Sequence, residues 1–113
     1  MGYDLHITKK AIWSDEGADI PESEWRAYLA SDPEMRLSGV AEAKLPDGGT
    51  LRYANPLLAE WNGHSSATVV WFDFRQGRIV VKNPDSEIIA KMQRIATTLG
   101  ARVRGDDGEF HDP

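Results

Sequence analysis

The residues of this 113-residue chain whose types could do chemistry are its three histidines and the carboxylates and hydroxyls placed near them. His6 stands two residues from Asp4, a spacing that puts both on one face of a strand, where they could bridge a metal ion or orient an imidazole base. Such i, i+2 neighbours are common, and an exposed pair is the plainer reading. His64, in Asn62-Gly63-His64-Ser65-Ser66, lies beside two hydroxyls and offers half of a nucleophilic triad. Adjacency in sequence is not the required geometry, because the base must approach the hydroxyl with an orienting carboxylate behind it. A polar loop whose hydroxyls make local turns is the plainer reading. In the tail, Asp106, Asp107, Glu109, His111 and Asp112 gather oxygen and imidazole ligands. The spacing of a calcium-binding helix–loop–helix is absent, and an acidic terminus more simply stays solvated or steers a basic partner. Gly48-Gly49 lacks the flanking strand and lysine of a phosphate loop. No catalytic residue, metal or cofactor follows from these patterns.

A fourth group suits recognition better than catalysis. In Val69–Pro84 two β-type runs flank Gln76-Gly77, and either a two- or a four-residue connection sets Phe74 against Ile79 and Phe72 against Val81. Val70, Phe72, Phe74, Ile79 and Val81 then form an apolar core face. Trp71, Asp73, Arg75, Arg78, Val80 and Lys82 share the other, with Trp71 opposite Lys82 in a cation–π geometry and Asp73 beside the two arginines. Antiparallel sheets often present such a face to solvent, and a partner-binding surface is the alternative.

The elements that must position these residues are legible in part. Tyr3, Leu5 and Ile7 alternate with polar residues, which predicts a half-buried opening strand. Lys9 to Ile20 reads as a loop with Ile12 and Trp13 as anchors. Asp19-Ile20-Pro21-Glu22 offers a capping box for a helix burying Trp25, Tyr28 and Leu29, and Ser31-Asp32-Pro33 ends it. Leu37–Leu45 and Thr50–Tyr53 flank the turn Pro46-Asp47-Gly48-Gly49 as a hairpin. Asn55–Trp61 fits a short strand or one helical turn, and Asn62–Ser66 a loop. Asn83 as N-cap and Pro84 at the first position open a second helix with the apolar stripe Ile88, Ile89, Met92, Ile95, Ala96 and Leu99, which Gly100 stops. Ala101–Arg104 reads as a last strand and Gly105–Glu109 as an acidic turn. The fold class is therefore α+β, one domain over residues 1–113, with a mostly antiparallel sheet and two helices on one face.

Composition narrows the function classes. Hydrophobic residues at 41% and charged residues at 27% are ordinary for a globular domain. The net charge of −5 disfavours a nucleic-acid binder and suits a basic partner. No run approaches membrane-spanning length, no secretion signal opens the chain, and there are no cysteines, so the expectation is a cytoplasmic protein without membrane contact. Four tryptophans are many for this length and serve either cores or interfaces, with Trp13, Trp61 and Trp71 as candidates for exposed anchors.

Met1–Thr8, Trp61-Asn62-Gly63-His64-Ser65, Trp71-Phe72-Asp73-Phe74 with Gly77, Lys82-Asn83-Pro84-Asp85, Lys91-Met92, Ile95-Ala96, Leu99-Gly100-Ala101, Val103 and Gly105–Glu109 together resemble a group of small stand-alone bacterial proteins. The likeness spans nearly the whole chain and is least from Arg36 to Tyr53. Most of the group has no assigned activity, and its loose functional association is with immunity proteins of polymorphic toxin systems. The resemblance implies a non-enzymatic protein that binds a cognate toxin, with the first hairpin as the variable, partner-reading part, and it transfers no catalytic residues. The candidate contact residues are Trp71, Asp73, Arg75, Arg78 and Lys82 on the hairpin face and Asp106, Asp107 and Glu109 in the tail. A small enzyme using His6 or His64 with Asp4 or Asp73, and a homodimeric module, are the alternatives.

Overall fold

Strand β1 (Asp4–Thr8) forms where the opening alternation begins, but it is no edge: it lies between two antiparallel neighbours, with His6 opposite both Val80 and Arg104. Neighbours on both edges pair its backbone, and both of its faces are covered as well: His6 and Thr8 are enclosed along with Leu5 and Ile7, contrary to the expected half-buried strand with an exposed Asp4–His6 pair. The computed structural model describes residues 4–9, 19–67, 69–105 and 109–111. Trp13 and the rest of the predicted loop from 10 to 18, together with Asp106, Asp107 and Asp112, lie outside the described residues.

After β1 come α1 (Glu22–Ser31), β2 (Met35–Leu37), β3 (Val40–Lys44), β4 (Thr50–Ala54), β5 (Leu58–Trp61), β6 (Val70–Arg75), β7 (Arg78–Lys82), α2 (Ser86–Leu99) and β8 (Arg102–Gly105). Six strands form one antiparallel sheet in the order β2-β5-β6-β7-β1-β8, and β3 with β4 forms a separate two-stranded sheet. Both helices pack against the main sheet, the α+β arrangement that the sequence predicts.

The β6–β7 register is as expected, with Asp73 opposite Val80 and Phe74 opposite Ile79. The connection is the two residues Gln76 and Gly77, both at positive φ (53° and 75°), a turn whose twist matches that of the strands. Gly77 also receives the chain entering α1: its carbonyl accepts a hydrogen bond from the Ile20 amide at 2.8 Å, and a Cβ there would lie 2.3 Å from Asp19 Cβ. Asp19 therefore makes no capping box, and Pro21 itself occupies the N-cap position of α1.

Two other expectations are corrected, and one left open between strand and helical turn is decided as strand. The strand expected over Leu37–Leu45 breaks at Ser38-Gly39, where both amides donate to the Leu58 carbonyl and Gly39 adopts φ +77°; β2 stays in the main sheet while β3 leaves it. Asn55–Trp61 resolves into the strand β5, which β2 and β6 flank. The N-cap of α2 is Asp85, whose carboxylate accepts from the Ile88 amide at 2.9 Å, while Asn83 makes a left-handed turn (φ 50°) ahead of Pro84.

The core lies between the sheet and the helices. Trp25, Leu29, Phe72, Phe74, Ile79, Val81, Met92, Ile95 and Leu99 are buried there. Trp25 stacks on Tyr28 and Phe74 with centroids 6.2 and 6.0 Å away, and its indole N–H donates to the Leu57 carbonyl, so its one polar atom is satisfied. Trp61, 2% exposed, is core rather than a surface anchor.

Candidate functional site

The β3–β4 hairpin stands beside the outer face of the main sheet, and Asp73 is the residue to which its end is tied. Asn55 at the end of β4 donates through Nδ2 to the Asp73 carboxylate at 2.6 Å and to the Phe74 carbonyl at 2.9 Å, while Tyr53 donates its hydroxyl to Asp73 at 3.0 Å. Arg75 adds an ion pair through Nε at 3.1 Å. The predicted outer face of the hairpin is thus partly roofed rather than free.

Between roof and sheet runs a cleft of about 520 Å³. Ala41 and Tyr53 face it from the hairpin, and Leu58, Trp71, Asp73, Arg75 and Val80 from the sheet. Its far end turns past Val69, Val70 and Lys82 toward Ile88 at the start of α2. Four of the predicted contact residues, Trp71, Asp73, Arg75 and Lys82, are brought together here. Arg78 lies opposite Arg75 but outside the cleft, and Glu109 is exposed beside the segment that pairs with β8. The expected Trp71–Lys82 cation–π contact does not form: neither side chain has a ring contact, hydrogen bond or ion pair among the described residues.

The Asn62–Ser66 loop builds a second polar cluster against the N-terminus of α2. His64 Nδ1 accepts from the Ser66 amide at 3.0 Å, so this nitrogen is the unprotonated one in the neutral ring, and Nε2–H donates to Asp85 at 2.7 Å. The Ser66 hydroxyl also approaches Nδ1, at 2.7 Å, while Ser65 donates its amide and hydroxyl to Glu87 at 2.8 and 2.6 Å. The carboxylate missing from the sequence reading is therefore supplied, twice. The Asp85 carboxyl is held below its usual range by the Ile88 amide and then by His64, and that of Glu87 by the Ser65 hydroxyl and amide.

Hydroxyl, imidazole and carboxylate in a row are the parts of a nucleophilic site, but here the hydroxyl belongs to a tight turn that gives the same imidazole nitrogen a backbone N–H. The Nδ1 lone pair is thus directed at the turn's own backbone as much as at the hydroxyl. Neither His64 nor the serines line the cleft, and His6 lies in β1, His64 between β5 and β6, and His111 after β8. Among the described residues no group of three or more potential ligands could hold a metal ion. The cluster acts as a latch that ties the loop to α2.

Sequence reasoning missed a third network. Lys91 falls within the apolar stripe of α2 yet is buried, with Nζ 2.5 Å from Asp32, 3.6 Å from Glu34 and 5.8 Å from the centroid of the Trp61 ring. Tyr28 donates its hydroxyl to Asp32, and Trp61 Nε1 donates to Glu34 at 3.3 Å. Burial alone would raise the Asp32 carboxyl; the hydrogen bonds from Lys91 and Tyr28 reverse this and hold it below its usual value. Burial and the bond to Asp32 push the Tyr28 phenol far up. The available signal was a lysine at a helical core position three residues after Ile88.

No protein-family model, curated protein or solved structure matches this chain. No described helix is long and apolar enough to cross a membrane.

Proposed function

We propose that this is a non-enzymatic binding protein, an immunity protein that neutralises a cognate bacterial toxin in the cytoplasm, and that it reads its partner with the β3–β4 hairpin. One observation carries the reading: large exposed apolar side chains concentrate on or beside that hairpin. Leu45 (41%), Leu51 (60%) and Tyr53 (42%) belong to it, and Val69 (40%) faces it from the cleft wall. Leu51 lies on the same side of β4 as Tyr53 and carries the apolar lining of the cleft beyond the sheet. Solvent does not favour such a grouping, whereas a partner surface that desolvates it does. The net charge of −5 suits a partner with a basic active-site groove.

The test is co-expression with the neighbouring open reading frames, followed by tagged purification and growth rescue. A stoichiometric complex with a toxic domain, rescue by this protein, and loss of both on Leu51→Asp would support the reading. Capture of no toxic partner, with no rescue by the folded protein, would overturn it. Asp73 is a poor probe, because removing it frees the hairpin. A homodimer is the second reading, favoured by the exposure of every residue of β4 from Thr50 to Ala54; it predicts a dimer in sedimentation that Leu51→Asp dissociates.

A further inference from the structure

The inner end of the cleft differs chemically from the projecting hairpin. Its volume of about 520 Å³ falls within the size range of small-molecule sites, and Leu58, Val69, Val70, Val80 and Ile88 make its walls largely apolar. Asp73 is the acidic group in the lining, and Tyr53, Asn55 and Arg75 already saturate it. Two donors are left over. Lys82 has no ion pair or hydrogen bond among the described residues, and neither has the indole N–H of Trp71. Trp71 and Lys82 each lie two residues beyond the Asp73–Val80 pair that ends the β6–β7 ladder, and both line the cleft, so both donors border the same end of it. An apolar trough of this size with an unanswered cation and N–H at one end is complementary to one kind of ligand: an apolar body ending in a carboxylate.

We propose that the cleft binds a small amphipathic carboxylate, its hydrocarbon between Tyr53 and the outer face of β6–β7 and its carboxylate at Lys82 and the Trp71 N–H. The strand from Val70 to Arg75 spans on the order of 17–20 Å, room for a medium-length acyl chain lying along it. Covering Val69 and Tyr53 with hydrocarbon supplies the affinity, and Lys82 supplies the selection for an anion over a neutral head. This site does not rest on the immunity reading. A small acid and a protein partner are assayed separately, and either can fail alone.

The full chain would be titrated by calorimetry with sodium decanoate below its micelle concentration, and with 1-decanol as the neutral control. The expected result is binding of one decanoate per chain, weaker binding of decanol, and a loss of about tenfold in decanoate affinity on Lys82→Ala with decanol unchanged. Val69→Trp, which fills the trough from an exposed position, should abolish binding of both while circular dichroism stays native. No saturable decanoate binding would overturn the proposal. So would equal effects of Lys82→Ala on acid and alcohol, or full binding by folded Val69→Trp, which would place the ligand elsewhere.

Discussion

Gly63 illustrates how closely single residues are set around the buried network. A Cβ at this position would lie 2.6 Å from Trp61 Nε1 and 2.7 Å from Glu34 Cδ. Glu34 can swing away, but Trp61 is locked in the core against Phe72 and His64 with centroids 6.4 and 5.9 Å away. Gly63→Ala should therefore destabilise by about 1–3 kcal/mol, the usual range for an overpacked site, read as a lower urea midpoint. Lys91 makes a second case. Lys91→Met keeps the packing of α2 but strips Asp32 of its ammonium partner, and an unpaired carboxylate at the edge of the core should cost about 3 kcal/mol. Asp32→Asn with Lys91→Met removes both charges and should recover most of that loss in the same assay. The raised Tyr28 pKa means that the folded state favours the neutral phenol. Its contribution is full below the ordinary tyrosine value of about 10 and is lost as pH rises through the folded value. Phenolate absorbance should show one tyrosine titrating late, together with alkaline unfolding.

The β3–β4 hairpin is the element whose existence depends most on others. A two-stranded ribbon alone is marginal in water, and β4 is exposed along its length, so the ribbon gains little from burial. What fixes it is the bonding of Tyr53 and Asn55 to Asp73, together with the two amides of Ser38 and Gly39 on the Leu58 carbonyl. Asp73→Ala should leave the main sheet intact while making the hairpin turn a protease site: limited proteolysis followed by mass spectrometry should find cleavage between Lys44 and Thr50 at a rate at least tenfold above the parent. Equal rates would mean that the ribbon is held by its apolar contacts instead. Its turn was legible, since Pro46-Asp47-Gly48-Gly49 encodes a tight reversal and Gly48 does adopt φ +89°. Its docking was not, because Asp73 and Tyr53 are 20 residues apart and nothing local links them.

At the scale of the whole molecule, acid should weaken the fold through carboxylates on two sides of α2. Asp32, Asp85 and Glu87 all have folded pKa values below their ordinary ones. A depressed carboxylate contributes stability that is present above its unfolded pKa, about 4, and is lost as pH falls through the folded value. The urea midpoint should therefore hold from pH 7 to about 5 and decline below about 4, with a shallower decline in Asp32→Asn. The exposed Asp85 and Glu87 contribute the smaller, salt-sensitive part. Chain chemistry by itself determined the α+β class, the β6–β7 register and the apolar stripe of α2, because each arises from side-chain periodicity and turn residues within one stretch of backbone. Tertiary structure alone decided that β1 is interior, that β2 and β5 extend the sheet, that Lys91 is buried beside Asp32, and that the hairpin meets the sheet at Asp73 to make a cleft. Those outcomes depend on contacts between residues distant in sequence, where burial and hydrogen-bond satisfaction rather than local pattern select the partner.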